Sequence, residues 1–140
     1  MGYPKPRPPI AGIAVKKGAD GLGLFATAPI KKGAFIVEYW GEVISEEESN
    51  RRGGLYLFEL DSGKIIDGKS RKNIARYANH SCINRNAEPE EDRGRVFILA
   101  KRNIKPGEEI MYDYGKEYWI DYIKPKGCKC GCKNKGPKRW

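Results

Sequence analysis

Short apolar runs separated by glycine and proline dominate the chain as far as Tyr114. Seven of these runs have the length and composition of β-strands. They are Ile10–Lys16, Leu22–Ala26, Phe35–Ile44, Leu55–Leu60, Lys64–Ile66, Arg95–Ala100 and Glu109–Tyr114. The sequence LDSGK between two of them predicts a hairpin turn. The pattern therefore predicts a mainly β protein, preceded by an extended, loosely held Pro-rich lead over residues 1–9.

Helical patterns are few and short. A capping box begins at Ser45 and a glycine stop lies at Gly53, so a helix is predicted over Glu46–Arg52. Apolar residues also repeat at helical spacing within Ser70–Asn79, which predicts two further turns.

One segment occurs twice. ATAPIKKGAFIVEYWGE, which begins at Ala26, aligns with AKRNIKPGEEIMYDYGK, which begins at Ala100. The identical positions are Ala26/Ala100, Ile30/Ile104, Lys31/Lys105, Gly33/Gly107, Ile36/Ile110 and Gly41/Gly115. Each copy predicts a strand, a glycine turn, a second strand and an aromatic cluster. Either two similar hairpins arose by coincidence, or both copies deliver aromatic residues to one shared site.

Composition narrows the class of protein. At 140 residues and 39% hydrophobic residues, the chain can form one compact domain. No apolar run approaches the roughly 20 residues of a membrane span, and the N-terminus lacks a signal-peptide core. We therefore expect a soluble, intracellular protein of the cytoplasm, nucleus or nucleoid.

The net charge of +9 is concentrated at the C-terminal end. Residues 124–140 contain six Lys, one Arg and no acidic residue, so the rest of the chain carries only +2. A basic tail is typical of proteins that contact nucleic acid or acidic surfaces, although it can also serve only solubility.

Cysteine placement favours a metal site. Cys128, Cys130 and Cys132 crowd together, and Cys82 stands alone. Alternate residues of an extended segment point the same way, which is a poor geometry for disulfides among the three. Because Zn²⁺ takes four ligands, Cys82 is the remaining candidate for the fourth, and free thiols are the alternative.

Three polar segments carry the clearest functional signal: GADGLGLFA (18–26), RYANHSC (76–82) and GEEIMYDYG (107–115). Singly they are weak, since they form neither a dinucleotide-binding motif nor a hydrolase triad. Together, in this order and with EYWGE between the first two, they resemble the SET-domain protein-lysine methyltransferases. The resemblance runs from about Lys16 to Gly115, and CKCGC resembles a shortened post-SET zinc segment.

The resemblance implies a SET-domain fold of small curved sheets with a C-terminal pseudoknot, a rare topology. It divides the chain into the lead (1–9), a catalytic domain (10–123) and a basic cysteine tail (124–140). S-adenosylmethionine is expected to bind on one face, and the target lysine to enter from the other.

The resemblance also assigns site residues. Tyr39, Tyr112 and Tyr114 are expected to form the lysine channel, with Tyr112 limiting the number of methyl groups, so that monomethyl-lysine is favoured. The expected cofactor residues are Gly21, Leu22, Gly23, Arg76, Tyr77, Asn79, His80 and Tyr114, and one zinc ion is expected on Cys82, Cys128, Cys130 and Cys132. Such a channel desolvates lysine, whose ordinary pKa is near 10.4, and so favours the neutral amine that the reaction needs.

Several features depart from the family pattern. Cys82 is followed by Ile-Asn-Arg-Asn rather than x-Pro-Asn, and the tail has Cys-x-Cys-x-Cys where the family has Cys-x-Cys-x₄-Cys. No pre-SET cysteine cluster is present, and the insert between Ser45 and Arg76 is short.

The partners follow from this function. We expect a protein substrate that presents a lysine, for example a histone-like tail, with weak nucleic-acid contact through the basic tail and a monomeric or weakly dimeric state. The alternative is an inactive SET-like module that uses its tail on nucleic acid or chromatin. A module without catalysis has no need of the channel tyrosines together with Asn79 and His80.

Overall fold

The computed structural model describes residues 5–18, 21–115, 118–128, 130, 132, 134 and 136. Met1 to Pro4 of the predicted lead, Ala19 and Asp20 of the first polar segment, and much of the tail beyond Cys128 lie outside the described residues. The described strands are β1 (Ile13–Gly18), β2 (Gly21–Ala26), β3 (Phe35–Tyr39), β4 (Glu42–Ile44), β5 (Leu57–Glu59), β6 (Ile65–Asp67), β7 (Asn79–His80), β8 (Ala87–Asp92), β9 (Arg95–Ala100) and β10 (Met111–Tyr112). The helical elements are α1 (Glu46–Arg52), 3₁₀ turns at Ile74–Tyr77 and Lys124–Lys126, and a π-helical turn at Trp119–Ile123.

The strands form small sheets, as predicted. β1 and β2 make an antiparallel hairpin, β3-β9-β8 and β4-β6-β5 are antiparallel three-stranded sheets, and β10 pairs with β7 in parallel. Their inner faces share one core, whose largest wholly buried apolar side chains are Leu24, Ile36, Ile66, Val96, Ile98, Ile104 and Ile110. Among the described residues, no helix combines the length and apolar character that crossing a bilayer requires.

The predicted helix and hairpin are both confirmed. α1 begins after Ser45, whose hydroxyl accepts a hydrogen bond from the Glu48 amide at 3.1 Å. It ends at Gly53, which adopts the left-handed conformation typical of a helix stop. The LDSGK segment turns between β5 and β6, and the amide of Leu60 donates to the carbonyl of Lys64 at 2.8 Å.

The C-terminal segment of the domain lies between β2 and the residues around β7. On one side, the Ile110 amide donates to the Leu24 carbonyl at 2.7 Å. On the other, the buried side chain of Asn86 donates to the Glu109 carbonyl at 2.8 Å and accepts from the Met111 amide at 2.9 Å. This insertion brings the second and third polar segments side by side, as the predicted pseudoknot requires.

The repeated segment has a structural counterpart. Ile30 and Ile104 pair with each other through two main-chain hydrogen bonds of 2.8 and 2.9 Å. The Gly33 amide donates to the Ala100 carbonyl at 2.7 Å, and the equivalent Gly107 amide donates to the Ala26 carbonyl at 2.8 Å. Exchanging the two copies exchanges these bonds, as in the interface of a two-fold symmetric dimer. The two copies therefore pack on each other around an approximate two-fold axis.

Three predicted elements need correction. The run Phe35–Ile44 is broken between β3 and β4, because at Gly41 the chain passes directly against the Asp67 carbonyl. The predicted helix over Ser70–Asn79 is only a 3₁₀ turn, since the buried Asn73 side chain bonds the main chain of Gly68 and Trp40 at its start. At its end, Asn79 joins β7. The last predicted strand, Glu109–Tyr114, shrinks to β10.

Sequence reasoning also missed β8, which has the sequence AEPEED. It is an edge strand, where proline is tolerated because its missing amide is not needed for pairing. Acidic residues alternate towards solvent, so the usual apolar strand signal is absent.

Residues 5–10 are more firmly held than the sequence predicts. The Arg7 amide donates to the buried Glu38 carboxylate at 2.7 Å, and Ile10 donates to the Ile36 carbonyl at 3.0 Å. Arg95 pairs with the same carboxylate at 2.7 Å and reaches the Lys5 carbonyl. The buried charge on β3 therefore anchors the described part of the lead.

The close approach at Gly41 gives a stability test. An added Cβ would lie 1.9 Å from the Asp67 carbonyl oxygen, so Gly41→Ala must displace backbone. We expect it to lower the free energy of unfolding by about 1–3 kcal/mol in urea denaturation. Gly54→Ala is the matched control, because an added Cβ there meets nothing within 4 Å, and its change should stay within about 0.5 kcal/mol. Equal effects of the two substitutions would contradict this account of the strand break.

Candidate active site and metal centre

A narrow cavity of about 60 Å³ lies among tyrosine side chains. Its volume suits the end of one extended side chain and little more. We call this cavity the tyrosine passage, and its lining residues are Tyr39, Leu55, Tyr56, Leu57, Phe58, Arg76, Tyr112, Tyr114 and Tyr118. The first copy of the repeat contributes Tyr39 and the second contributes Tyr112 and Tyr114. The repeated segments therefore do deliver aromatic residues to one site.

Main-chain carbonyls fix three of the phenols. The Tyr39 hydroxyl donates to the Tyr56 carbonyl at 2.8 Å, and the Tyr118 hydroxyl donates to the Leu55 carbonyl at 3.0 Å. The Tyr114 hydroxyl donates to the Ala78 carbonyl. A phenol has one proton to donate and keeps its lone pairs as acceptors. Each of these oxygens can therefore act only as an acceptor towards a group in the passage.

Burial keeps the phenols protonated. Desolvation, reinforced by the neighbouring phenols, raises the pKa of Tyr39, Tyr112 and Tyr114, and it raises the pKa of Tyr118 to about 12. Near neutral pH, none of them is a phenolate, so none is suited to act as a base.

Of the larger clefts that adjoin the passage, two differ in the residues that they share with it. The first, of about 440 Å³, has a volume typical of small-molecule sites and shares Leu55, Tyr114 and Tyr118 with the passage. The second, of about 560 Å³, lies against α1 and β5 and shares Leu57, Phe58 and the same two tyrosines. The passage therefore borders two clefts, which have Tyr114 and Tyr118 in common but differ in the other residues that they share with it.

Half of the predicted cofactor residues line the first cleft, and three more line a neighbouring one. Gly21, Asn79, His80 and Tyr114 line it directly. An adjoining cleft of about 540 Å³, which also includes Asn79 and Tyr114, is lined by the predicted residues Leu22, Arg76 and Tyr77.

Gly23 lies beneath this surface rather than on it. The side-chain amide of Asn79 donates through Nδ2 to the Leu22 carbonyl at 3.0 Å and to the Glu109 carboxylate at 2.8 Å. A Cβ on Gly23 would lie 2.6 Å from that same carboxylate. Gly23 therefore leaves room for the Asn79–Glu109 pair, a packing role that the sequence did not indicate.

His80 lies between the passage and the cysteines. Its Nδ1 is 3.1 Å from the Tyr114 amide nitrogen, and its Nε2 is 3.0 Å from the Cys82 sulfur. Burial lowers the pKa of His80, and this effect outweighs the opposing influence of Asp113, 3.8 Å away. The imidazole is therefore neutral at neutral pH.

The four cysteines converge despite their irregular spacing. The sulfur atoms of Cys82, Cys128, Cys130 and Cys132 all lie within 4.8 Å of one another. Cys82 and Cys128 are 3.7 Å apart at sulfur, close to the ~3.8 Å that tetrahedral coordination at 2.3 Å implies. Burial raises the pKa of the Cys82 thiol, which a bound cation would reverse. The cluster could hold one metal ion.

The aromatic wall extends further than the predicted residues. The rings of Tyr114, Tyr118 and Tyr122 follow one another with centroids 5.1 and 4.9 Å apart. Tyr118 borders the passage and all three of the clefts described above. The spacing of four residues between these tyrosines was the available signal, whereas nothing in the sequence indicated Tyr56, whose carbonyl holds Tyr39.

Comparison with known proteins agrees with this geometry. Residues 21–115 match the SET domain family. Histone-lysine N-methyltransferase trr of Drosophila melanogaster is 40% identical over 127 residues, which cover 82% of this chain and 5% of that protein. Histone-lysine N-methyltransferase ATXR7 of Arabidopsis thaliana is 39% identical over 129 residues, covering 80% and 8%. The H3 lysine-4 specific histone-lysine N-methyltransferase of Schizosaccharomyces pombe is 38% identical over 123 residues, covering 79% and 13%. The chain spans only a small part of each relative's length.

Proposed function

The chain belongs to the SET-domain family, and we propose that it is a protein-lysine N-methyltransferase that uses S-adenosylmethionine as methyl donor. The observation that carries this proposal is the tyrosine passage, whose bonded phenol oxygens can act only as acceptors and which borders two larger clefts. The similar proteins are named as histone-lysine N-methyltransferases, which supports a histone or histone-like substrate.

The passage suits a lysine side chain in particular. An amine nitrogen carries only N–H donors besides its lone pair, and the oxygens of Tyr39, Tyr114 and Tyr118 offer only acceptors. Hydrogen bonds from the amine to these oxygens would leave its lone pair directed along the passage towards the first cleft. A protein substrate would lie in the second cleft, with its lysine extended through the passage.

The protonation state of the lysine follows from desolvation. The ammonium form loses its hydration on entering a cavity of about 60 Å³ lined by aromatic rings, so its pKa falls. Burial raises the pKa of Tyr112 and Tyr114, so these phenols stay protonated near neutral pH and no phenolate is present to act as the base. The proton therefore passes to water as the amine enters the passage, and the protein contributes alignment and desolvation.

The first cleft fits the proposed donor. Asn79 and Gly21 would hold its polar end, and Tyr114 would border its reactive end. When bound, S-adenosylmethionine supplies an electrophilic methyl group on a positively charged sulfur. Because no protein nucleophile takes part in such a transfer, the residues act by binding and orienting the two reactants.

The cysteine cluster would hold one structural Zn²⁺. Four thiolate donors complete a tetrahedral shell and leave no open position for catalysis. Because Cys128 and Cys130 also line the first cleft, the ion would fix one wall of the donor site. We propose residues 10–123 as the catalytic domain and the tail as the metal-binding segment that closes it.

Tyr114→Phe tests the active site. The substitution keeps the ring and removes the oxygen that bonds the Ala78 carbonyl and faces the passage. Loss of one positioned polar group of this kind costs about 10²–10³ in rate, so we expect near-complete loss of radiolabelled methyl transfer to histones. Donor binding by calorimetry and thermal unfolding serve as controls for folding. Turnover like that of the unmodified protein would refute the assignment.

Tyr112→Phe tests control of the product. A second transfer requires the monomethylated amine to rotate, and a hydroxyl or its bound water hinders that rotation. We expect the unmodified protein to produce mainly monomethyl-lysine, and the variant to stay active and to form dimethyl- or trimethyl-lysine. A change of 1.4 kcal/mol in the second barrier is about tenfold in rate, which mass spectrometry detects. Trimethyl-lysine as the main early product of the unmodified protein would contradict this role.

Cys130→Ser tests the metal centre. Protein purified under reducing conditions should contain one zinc per chain by elemental analysis, and the substitution should lower this content. The affinity of the protein for S-adenosylmethionine should fall as well, because the cluster borders the first cleft. Unmodified protein without zinc would contradict the proposed site.

A further inference from the structure

The His80 side chain makes two directed contacts at opposite sides of its ring. Nδ1 lies 3.1 Å from the Tyr114 amide nitrogen, and Nε2 lies 3.0 Å from the sulfur of Cys82. The side chain is only 5% exposed, and its ring packs edge-on against the Tyr114 ring at 5.4 Å. One buried ring thus touches both the metal cluster and the passage.

Hydrogen-bonding rules fix the tautomer. A main-chain amide can only donate, so Nδ1 must be unprotonated and accept from Tyr114. In the neutral imidazole the proton then sits on Nε2, which directs its N–H at the Cys82 sulfur. A metal-bound thiolate is an acceptor for that proton. Both contacts are therefore satisfied by a single form of the ring.

The rest of the ring's environment supports this form. The Asp113 carboxylate lies 3.8 Å from Nδ1 but is engaged by the Gly115 amide at 2.9 Å and by Arg85 at 3.4 Å. The Cys82 amide donates to the Cys130 sulfur at 3.3 Å, which ties the same backbone to the cluster.

We propose that His80 is a positioning residue that couples the four-cysteine centre to Tyr114. A filled metal site presents the Cys82 sulfur as a thiolate, which orients the imidazole through Nε2–H. The ring in turn holds the Tyr114 amide, and so fixes where its phenol lies in the passage. The effect on turnover rests on the proposed function, whereas the coupling itself does not. This role belongs to the His80 side chain. It is separate from any contact that the His80 main chain makes with S-adenosylmethionine.

Two substitutions divide the ring's contacts. His80→Asn places an amide oxygen near the position of Nδ1 and so keeps the contact with the Tyr114 amide. His80→Gln places an amide N–H near the position of Nε2 and so keeps the contact with the Cys82 sulfur. Loss of an outer-sphere partner of a metal ligand typically costs about 10–100-fold in metal affinity or activity. Three measurements distinguish the variants. They are the thiolate-to-metal absorption of the Co²⁺-substituted protein, the rate of zinc transfer to a chromogenic chelator, and kcat and KM for a lysine peptide.

His80→Gln should keep the cobalt spectrum and bring zinc transfer within about twofold of the unmodified protein, while kcat falls about tenfold with peptide KM unchanged. His80→Asn should shift the cobalt band and speed zinc transfer about tenfold, with a smaller loss of kcat than His80→Gln shows. His80→Ala should show both defects. An unchanged cobalt spectrum in His80→Ala, or equal kcat losses in the Asn and Gln variants, would overturn the coupling.

Hydrogen exchange of the Tyr114 amide tests the coupling without activity or substitution. Removing the metal from the unmodified protein should speed exchange of this amide more than exchange of the Leu99 amide in β9. Unchanged protection of Tyr114 on metal removal would overturn the proposal. If the unmodified protein transfers no methyl group, the proposed function fails, and the exchange and cobalt measurements still decide the coupling.

Discussion

The structure of the site depends on one limit of the phenol group, which has a single proton to donate. Three passage phenols give that proton to carbonyls of Leu55, Tyr56 and Ala78. What remains towards the cavity is a set of acceptor oxygens on rigid rings, held uncharged by burial. A group that has only donors and one lone pair is the natural occupant, and lysine is the side chain that supplies it at the end of a long chain.

The rest of the fold serves to assemble these rings. β3 ends at Tyr39. The segment that contains β10 is inserted between β2 and β7, and this insertion brings Tyr114 to the passage. The approximate two-fold packing of the repeated segments brings the ends of these two strands to one place. Cys128 and Cys130 of the cysteine cluster line the first cleft, so that segments distant in sequence, from Gly18 to Cys130, meet around it.

The sequence predicted much of this through local signals. Capping residues located α1, short apolar runs between glycine and proline located most strands, and the polar segments named residues of the passage and the first cleft. β8 was missed because an acidic edge strand needs no apolar alternation. The break at Gly41, the packing role of Gly23 and the carbonyl partners of the phenols depend on contacts between distant segments. Single-sequence patterns carry no record of such contacts. Tyr118 is different, because its spacing of four residues from Tyr114 and Tyr122 was a local signal that the predicted site did not use.

The central claim is that the methyl donor and the lysine bind at different places, the donor in the first cleft and the lysine in the passage that borders it. Calorimetric titration of a lysine-containing histone peptide, with and without saturating S-adenosylhomocysteine, tests this directly. The account predicts a ternary complex, in which the peptide binds with equal or higher affinity when the first cleft is filled. Competition between the two ligands, seen as peptide affinity that falls with rising S-adenosylhomocysteine, would contradict it.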